Sequence, residues 1–119
     1  MKLITKEQER QMLNNSRWNA ARTARDEEPE DFRPVVKLFC PWGAAVWLLT
    51  ELDPDEPDIA FGLCDLGLGF PELGAVRLSE ITALSGPGGL RIERDRQFRP
   101  AKTLAAYAIE ARGQGRVVA

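Results

Sequence analysis

The sequence contains no histidine. That absence removes Ser-His-Asp and Cys-His nucleophile activation, imidazole metal ligation and imidazole acid–base chemistry together. Cysteine is scarce as well: Cys40 and Cys64 stand far apart, form no CxxC and have no histidine beside them, so their spacing does not suggest a zinc site. Both lie inside apolar runs and read as buried small hydrophobes, with a bridge between them left open. No apolar run approaches the roughly eighteen residues of a membrane span, so no membrane partner is expected. The opening Met1-Lys2-Leu3-Ile4-Thr5-Lys6-Glu7 becomes charged after two apolar residues and lacks the apolar core of a signal peptide, which makes the cytoplasm the expected location. No cofactor is expected either.

What is present suits one folded unit. The 119 residues, 44% hydrophobic and 29% charged, lie near globular averages and away from the corner where chains stay disordered. The net charge of −2 hides segregation. Residues 1–33 carry seven Lys/Arg and seven Asp/Glu, residues 34–90 carry two and eight, and residues 91–119 carry seven and three. A basic C-terminal segment of this kind is either a patch for an anionic partner or an exposed end collecting solvated charge.

Along the chain, Thr5-Lys6-Glu7-Gln8 fits a capping box that starts a helix at Lys6. Asn14-Asn15-Ser16 should weaken it, because such side chains compete for backbone hydrogen bonds. Arg25 to Pro34 reads as a polar linker. Val35–Cys40 and Ala44–Leu52, joined by Pro41-Trp42-Gly43, read as a hairpin. In the second run Ala45, Trp47 and Leu49 point one way and Val46, Leu48 and Leu52 the other, so both faces must be covered, within the chain or by a partner copy. Ile59–Leu66 alternates large residues with small ones, Ala60, Gly62 and Cys64, leaving room for a helix close over the small face. Glu72–Leu78 makes a fourth strand. Loops this short allow only antiparallel neighbours. A short helix capped by Ser79 follows, then Gly86-Pro87-Gly88-Gly89, an alternating edge strand over Leu90–Arg94, and a helix from Leu104 to about Arg112 capped by Thr103. The predicted fold is α+β: a mainly antiparallel four- to five-stranded meander with an N-terminal helix, a short helix after strand four and a C-terminal helix. It forms one domain over 1–119, with helix and linker in 1–33, the sheet core and C-terminal helix in 34–112, and a frayed tail at 113–119.

Several blocks taken together carry a resemblance. They are Leu3-Ile4-Thr5-Lys6-Glu7-Gln8; Val35-Val36-Lys37-Leu38-Phe39 with Pro41-Trp42 and Trp47-Leu48-Leu49-Thr50-Glu51-Leu52; Phe61-Gly62-Leu63-Cys64-Asp65-Leu66-Gly67 with Pro71-Glu72-Leu73-Gly74; and Gly86-Pro87, Gly89-Leu90 and Ile92-Glu93-Arg94-Asp95 with Phe98 and Pro100. The set, spanning about residues 3 to 107, resembles a family of small bacterial proteins known only as a domain of unknown function, often carried on plasmids and integrative elements. The resemblance implies an intracellular accessory protein of a mobile element and supplies no activity, cofactor or functional residue.

Three groups are candidate sites. Arg91, Arg94, Arg96, Arg99 and Lys102 put five cations within a dozen residues of each other around Phe98. Phosphate contacts need such density and an aromatic among them can stack on an unpaired base, although Glu93 and Asp95 interleave and can pair with the arginines. Trp42, in a tight turn, is either folded onto the core or exposed as an interface anchor. Glu51, Asp53, Asp65 and Glu72 would hold Mg²⁺ for phosphodiester hydrolysis if they converged at one end of the sheet; otherwise they are solvated strand-end carboxylates. Gly86-Pro87-Gly88-Gly89 lacks the lysine and serine of a P-loop. The favoured expectation is a non-enzymatic interaction module binding a protein or nucleic-acid partner through residues 91–102 and Trp42, possible also as a homodimer. The alternative is a carboxylate-metal hydrolase.

Overall fold

The capping box forms as the sequence predicts. In the computed structural model, which describes residues 3–119, the Thr5 side chain accepts from the Gln8 amide at 3.1 Å and the Gln8 side chain accepts from the Thr5 amide at 2.9 Å. Helix α1, Lys6–Ala24, starts there. It does not weaken at Asn14-Asn15-Ser16 but runs unbroken to Ala24. The reason is that Asn15 and Asn19 are buried and spend their amides on distant backbone, leaving the helix's own hydrogen bonds uncontested. The segment after α1 has no regular structure, as its composition predicts, yet it is fastened at intervals. Arg22 donates to the Glu28 carbonyl, Asn19 bonds the Glu30 backbone in both directions, and Phe32 accepts from the Leu104 amide.

Five antiparallel strands form one sheet: β1 Val36–Phe39, β2 Val46–Leu52, β3 Ile59–Asp65, β4 Glu72–Arg77 and β5 Glu93–Arg94, in the order β4-β3-β2-β1-β5. The first four make the meander. The fifth does not extend it beyond β4; the chain crosses back and adds a two-residue strand outside β1. Helix α2, Leu78–Ala83, follows β4 directly. Ser79 is not its N-cap. That position is Arg77, without a side-chain cap, and Asp58 from the preceding turn does the capping instead, accepting from both the amide and the hydroxyl of Ser79. Helix α3, Leu104–Gln114, is capped by Thr103 and ends at Gly115 in the left-handed conformation.

The sheet is covered on both faces within the chain. On one side α1 and α2 bury Met12, Val36, Leu38, Trp47, Leu49, Leu52, Ala60, Ile81 and Ile92. On the other, α3 closes over Leu48 and Leu63 with Leu104, Tyr107, Ala108 and Ala111. Leu52 joins the face of Trp47 and Leu49, opposite to strict alternation, because a bulge between Leu49 and Glu51 inserts Thr50 and reverses the parity beyond it. The same irregularity explains Gly62: a Cβ there would lie 2.0 Å from the Leu48 carbonyl oxygen, so a neighbouring strand, not a helix, demands the small residue. The tail is ordered. Val117 is buried and its amide donates to Asp65 at 2.9 Å, which overturns the frayed end expected from Gly113.

Candidate functional site

The basic segment divides on folding. Arg91 leaves toward the end of α2, where it bridges Ser85 and donates weakly to the Ala83 carbonyl. Lys102 pairs with Glu110 in α3 and lies 5.6 Å from the centre of the Tyr107 ring. Trp42 folds onto the first core and covers Gly86 so closely that a Cβ there would meet its ring at 2.3 Å. It is a core residue of the hairpin turn, not an exposed anchor. None of these three lines the cleft that holds the other predicted residues.

Arg94, Arg96, Phe98 and Arg99 do stay together, and the fold brings Lys37 to them. Pairing of Leu38 with Arg94 and of Phe39 with Glu93 lays β5 beside β1, and the Asp95 amide continues the contact by donating to the Lys37 carbonyl. A cleft of 370 Å³ opens between this edge and the start of α1. Its wall carries Lys37, Arg94, Arg96 and Arg99, with Phe98, Asp95, Thr5 and Gln8. Arg94 is pinned by a 2.9 Å hydrogen bond to the Leu3 carbonyl, which spends one of its five N–H donors. Lys37 lies 3.5 Å from Asp95 and donates to the backbone oxygen of Ala119 at 2.8 Å. Arg96 and Arg99 are exposed, and among the described residues neither has a carboxylate partner. Phe98 is half-buried, one side resting on the second core. Four cations face a single acid, so the cleft is locally positive in a chain that is acidic overall.

The contribution of Lys37, Thr5 and Gln8 was not legible in residues 91–102, because each arrives through a strand pairing or a helix packing far away in sequence. The one local hint is that Lys37 interrupts an otherwise apolar β1.

The four carboxylates do not converge. Glu51 and Asp53 stand where β2 ends, whereas Asp65 and Glu72 stand at the other end of the paired strands, since Val46 faces Asp65 and Leu52 faces Ala60. Asp65 is buried and occupied, accepting from the amides of Gly67 and Val117. Burial raises the pKa of Glu51, an effect that Asn19 opposes by hydrogen bonding. No group of three or more acidic or cysteine side chains is placed to hold a metal ion among the described residues. Both cysteines are free thiols, and burial pushes Cys64 up to about 11, so it is protonated and unreactive at neutral pH. A second cavity of 420 Å³, against Trp47, Ile59, Val76, Ile81 and Leu84, is apolar, with Arg77 and Glu80 among its lining. No helix among the described residues is long and apolar enough to cross a membrane.

A family model described as a protein of unknown function (DUF2958) matches residues 3–118. The chain belongs to this family. The match runs from the residue bonded to Arg94 to the one after Val117, so the DUF2958 unit takes in α1, the whole sheet and α3, and with them every wall of the basic cleft. No curated protein and no solved structure matches the chain.

Proposed function

We propose that this DUF2958 protein is a non-enzymatic interaction module of a mobile genetic element and that it binds nucleic acid in the cleft beside β5. The observation that carries the reading is the meeting of Lys37, Arg94, Arg96 and Arg99 around one cavity, two of them exposed and, among the described residues, without a carboxylate partner. Phosphate is the anion such a wall suits, because guanidinium groups present paired N–H donors to its oxygens. The chain is acidic overall, so attraction of an anion to this cleft is not a general effect of net charge. The mobile-element setting rests on the sequence resemblance; sequencing the DNA that flanks the gene checks it, with transfer or integration genes as the expected neighbours.

Fluorescence anisotropy of labelled DNA and RNA strands, titrated across salt, tests the binding. Two to four phosphate contacts predict a loss of about 7- to 50-fold in affinity between 50 and 200 mM salt. Arg96→Ala with Arg99→Ala should weaken binding by tenfold or more while the urea midpoint stays unchanged, since both side chains are exposed. Absence of binding at low salt would overturn the reading. Shortening of the probe on addition of Mg²⁺ would overturn its non-enzymatic part.

A further inference from the structure

We infer that the cleft takes a single strand and not a duplex, with phosphates held by the arginines and one unpaired base laid on Phe98. This rests on the reading of the cleft as a nucleic-acid site and names the form of the ligand. The first observation is the place of the aromatic. Phe98 lies between Arg96 and Arg99 in the chain and lines the same cavity, so stacking and phosphate contacts are available to one nucleotide and its neighbours. Its other side packs on the second core, which holds the ring and lowers the entropy cost of stacking. Every base has a face to offer such a ring, but only when it is not already stacked inside a helix.

The second observation is shape. The cations line a cavity of 370 Å³ and do not stand on a projecting helix or ribbon of the kind that enters a major groove. At the start of α1, the helix end at the cleft, the capping box already takes up the amides of Thr5 and Gln8, and Glu7 and Glu9 put negative charge in that first turn, which disfavours the phosphates of a duplex backbone there. The third is the charge around the cleft. Glu7 in the first turn of α1 and Glu93 in β5 are chain neighbours of lining residues, and Asp95 lies in the wall itself. A broad duplex brings a second row of phosphates toward these acids, whereas one strand can follow the arginines alone.

The test compares, by competition anisotropy with the full chain, a single strand, the same sequence as a duplex, and the same single strand with its bases removed. The single strand should bind at least tenfold tighter than the duplex. The abasic strand should bind about 5- to 140-fold more weakly than the intact one, the range that corresponds to one stacked base. Phe98→Leu, which keeps an apolar side chain against the core, should reduce binding of the intact strand by the same factor and leave the abasic strand unchanged; Phe98→Tyr should restore it. Equal affinity for strand and duplex, or for intact and abasic strands, overturns the single-strand inference while the nucleic-acid reading stands. Failure of all three to bind overturns the parent reading as well. Displacement of the strand by polyglutamate at equal charge concentration would assign the cleft to acidic protein surfaces and overturn both.

Discussion

Thr50 is the extra residue of the β2 bulge, with no residue opposite it in the register with β3. Asn15 reaches it from α1: its side-chain amide donates to the Thr50 carbonyl at 2.9 Å, while its oxygen accepts from Gln11 one turn earlier. A buried carbonyl left unpaired costs about 1–3 kcal/mol, so Asn15→Ala should lower the stability read from urea unfolding by that amount. Asn14→Ala, one residue away on the exposed side, should be neutral or slightly stabilising because alanine is the better helix former. Equal effects of the two would show that Asn15 matters only as a helix residue. Sequence alone hides this role, since a buried asparagine and a turn-forming asparagine look the same until the acceptor it reaches is known. Arg96, Phe98 and Arg99, by contrast, are legible as a dense local run, and folding leaves them together because they are close in the chain.

Helix α2 has fewer than two turns and no cap of its own, so its start depends on the turn before β3. The hydroxyl and then the amide of Ser79, with a further contribution from Arg77, hold the Asp58 carboxyl below its ordinary value of 3.8. A carboxylate whose pKa is depressed by folding adds stability at pH above its unfolded value and loses it as pH falls through the folded one. The difference in urea midpoint between wild type and Asp58→Ala should thus be constant above about pH 5 and close as the solution is made acidic. Glu51 works with the opposite sign: burial raises its pKa, so its charged form costs stability at neutral pH and protonation relieves that cost. A gap between wild type and Asp58→Ala that persists unchanged in acid would mean that the Asp58 carboxylate does not hold α2. The helix was expected from Ser79 as a cap. The element was legible and its support was not, because the true capping group is 21 residues away.

At the scale of the molecule, one buried carboxylate ties the C-terminal segment to the sheet. Asp65 ends β3 and accepts from the Gly67 amide at 2.8 Å and the Val117 amide at 2.9 Å, closing the chain beyond α3 onto the second core. Hydrogen bonds to a charged acceptor contribute about 1.5–3 kcal/mol, and Asp65→Ala should lose that much and release the tail. Limited trypsin digestion followed by mass spectrometry should then show faster cleavage at Arg116, ahead of any cut in the sheet. Unchanged cleavage at Arg116 would show that Val117 is held by apolar packing alone. No sequence pattern connects Asp65 to Val117. Asp65 reads locally as one more acidic strand end and therefore as a candidate metal ligand, whereas in the fold each of its oxygens accepts a backbone amide.

The sequence by itself determined the elements and their antiparallel arrangement. Alternation, capping residues and short loops act within a few residues, and a loop too short for a crossover leaves a strand only its neighbour to pair with. It also determined that imidazole chemistry is absent. Tertiary structure alone decided that β5 returns to the far edge beside β1, that both faces of the sheet are closed by the chain's own helices, and that a bulge reverses the parity of β2. It decided, too, that Lys37 joins three arginines in one cleft while Trp42, Arg91 and Lys102 go elsewhere. Those outcomes depend on contacts between residues distant in the chain, whose energies are set by which surfaces meet and not by the spacing of residues along it.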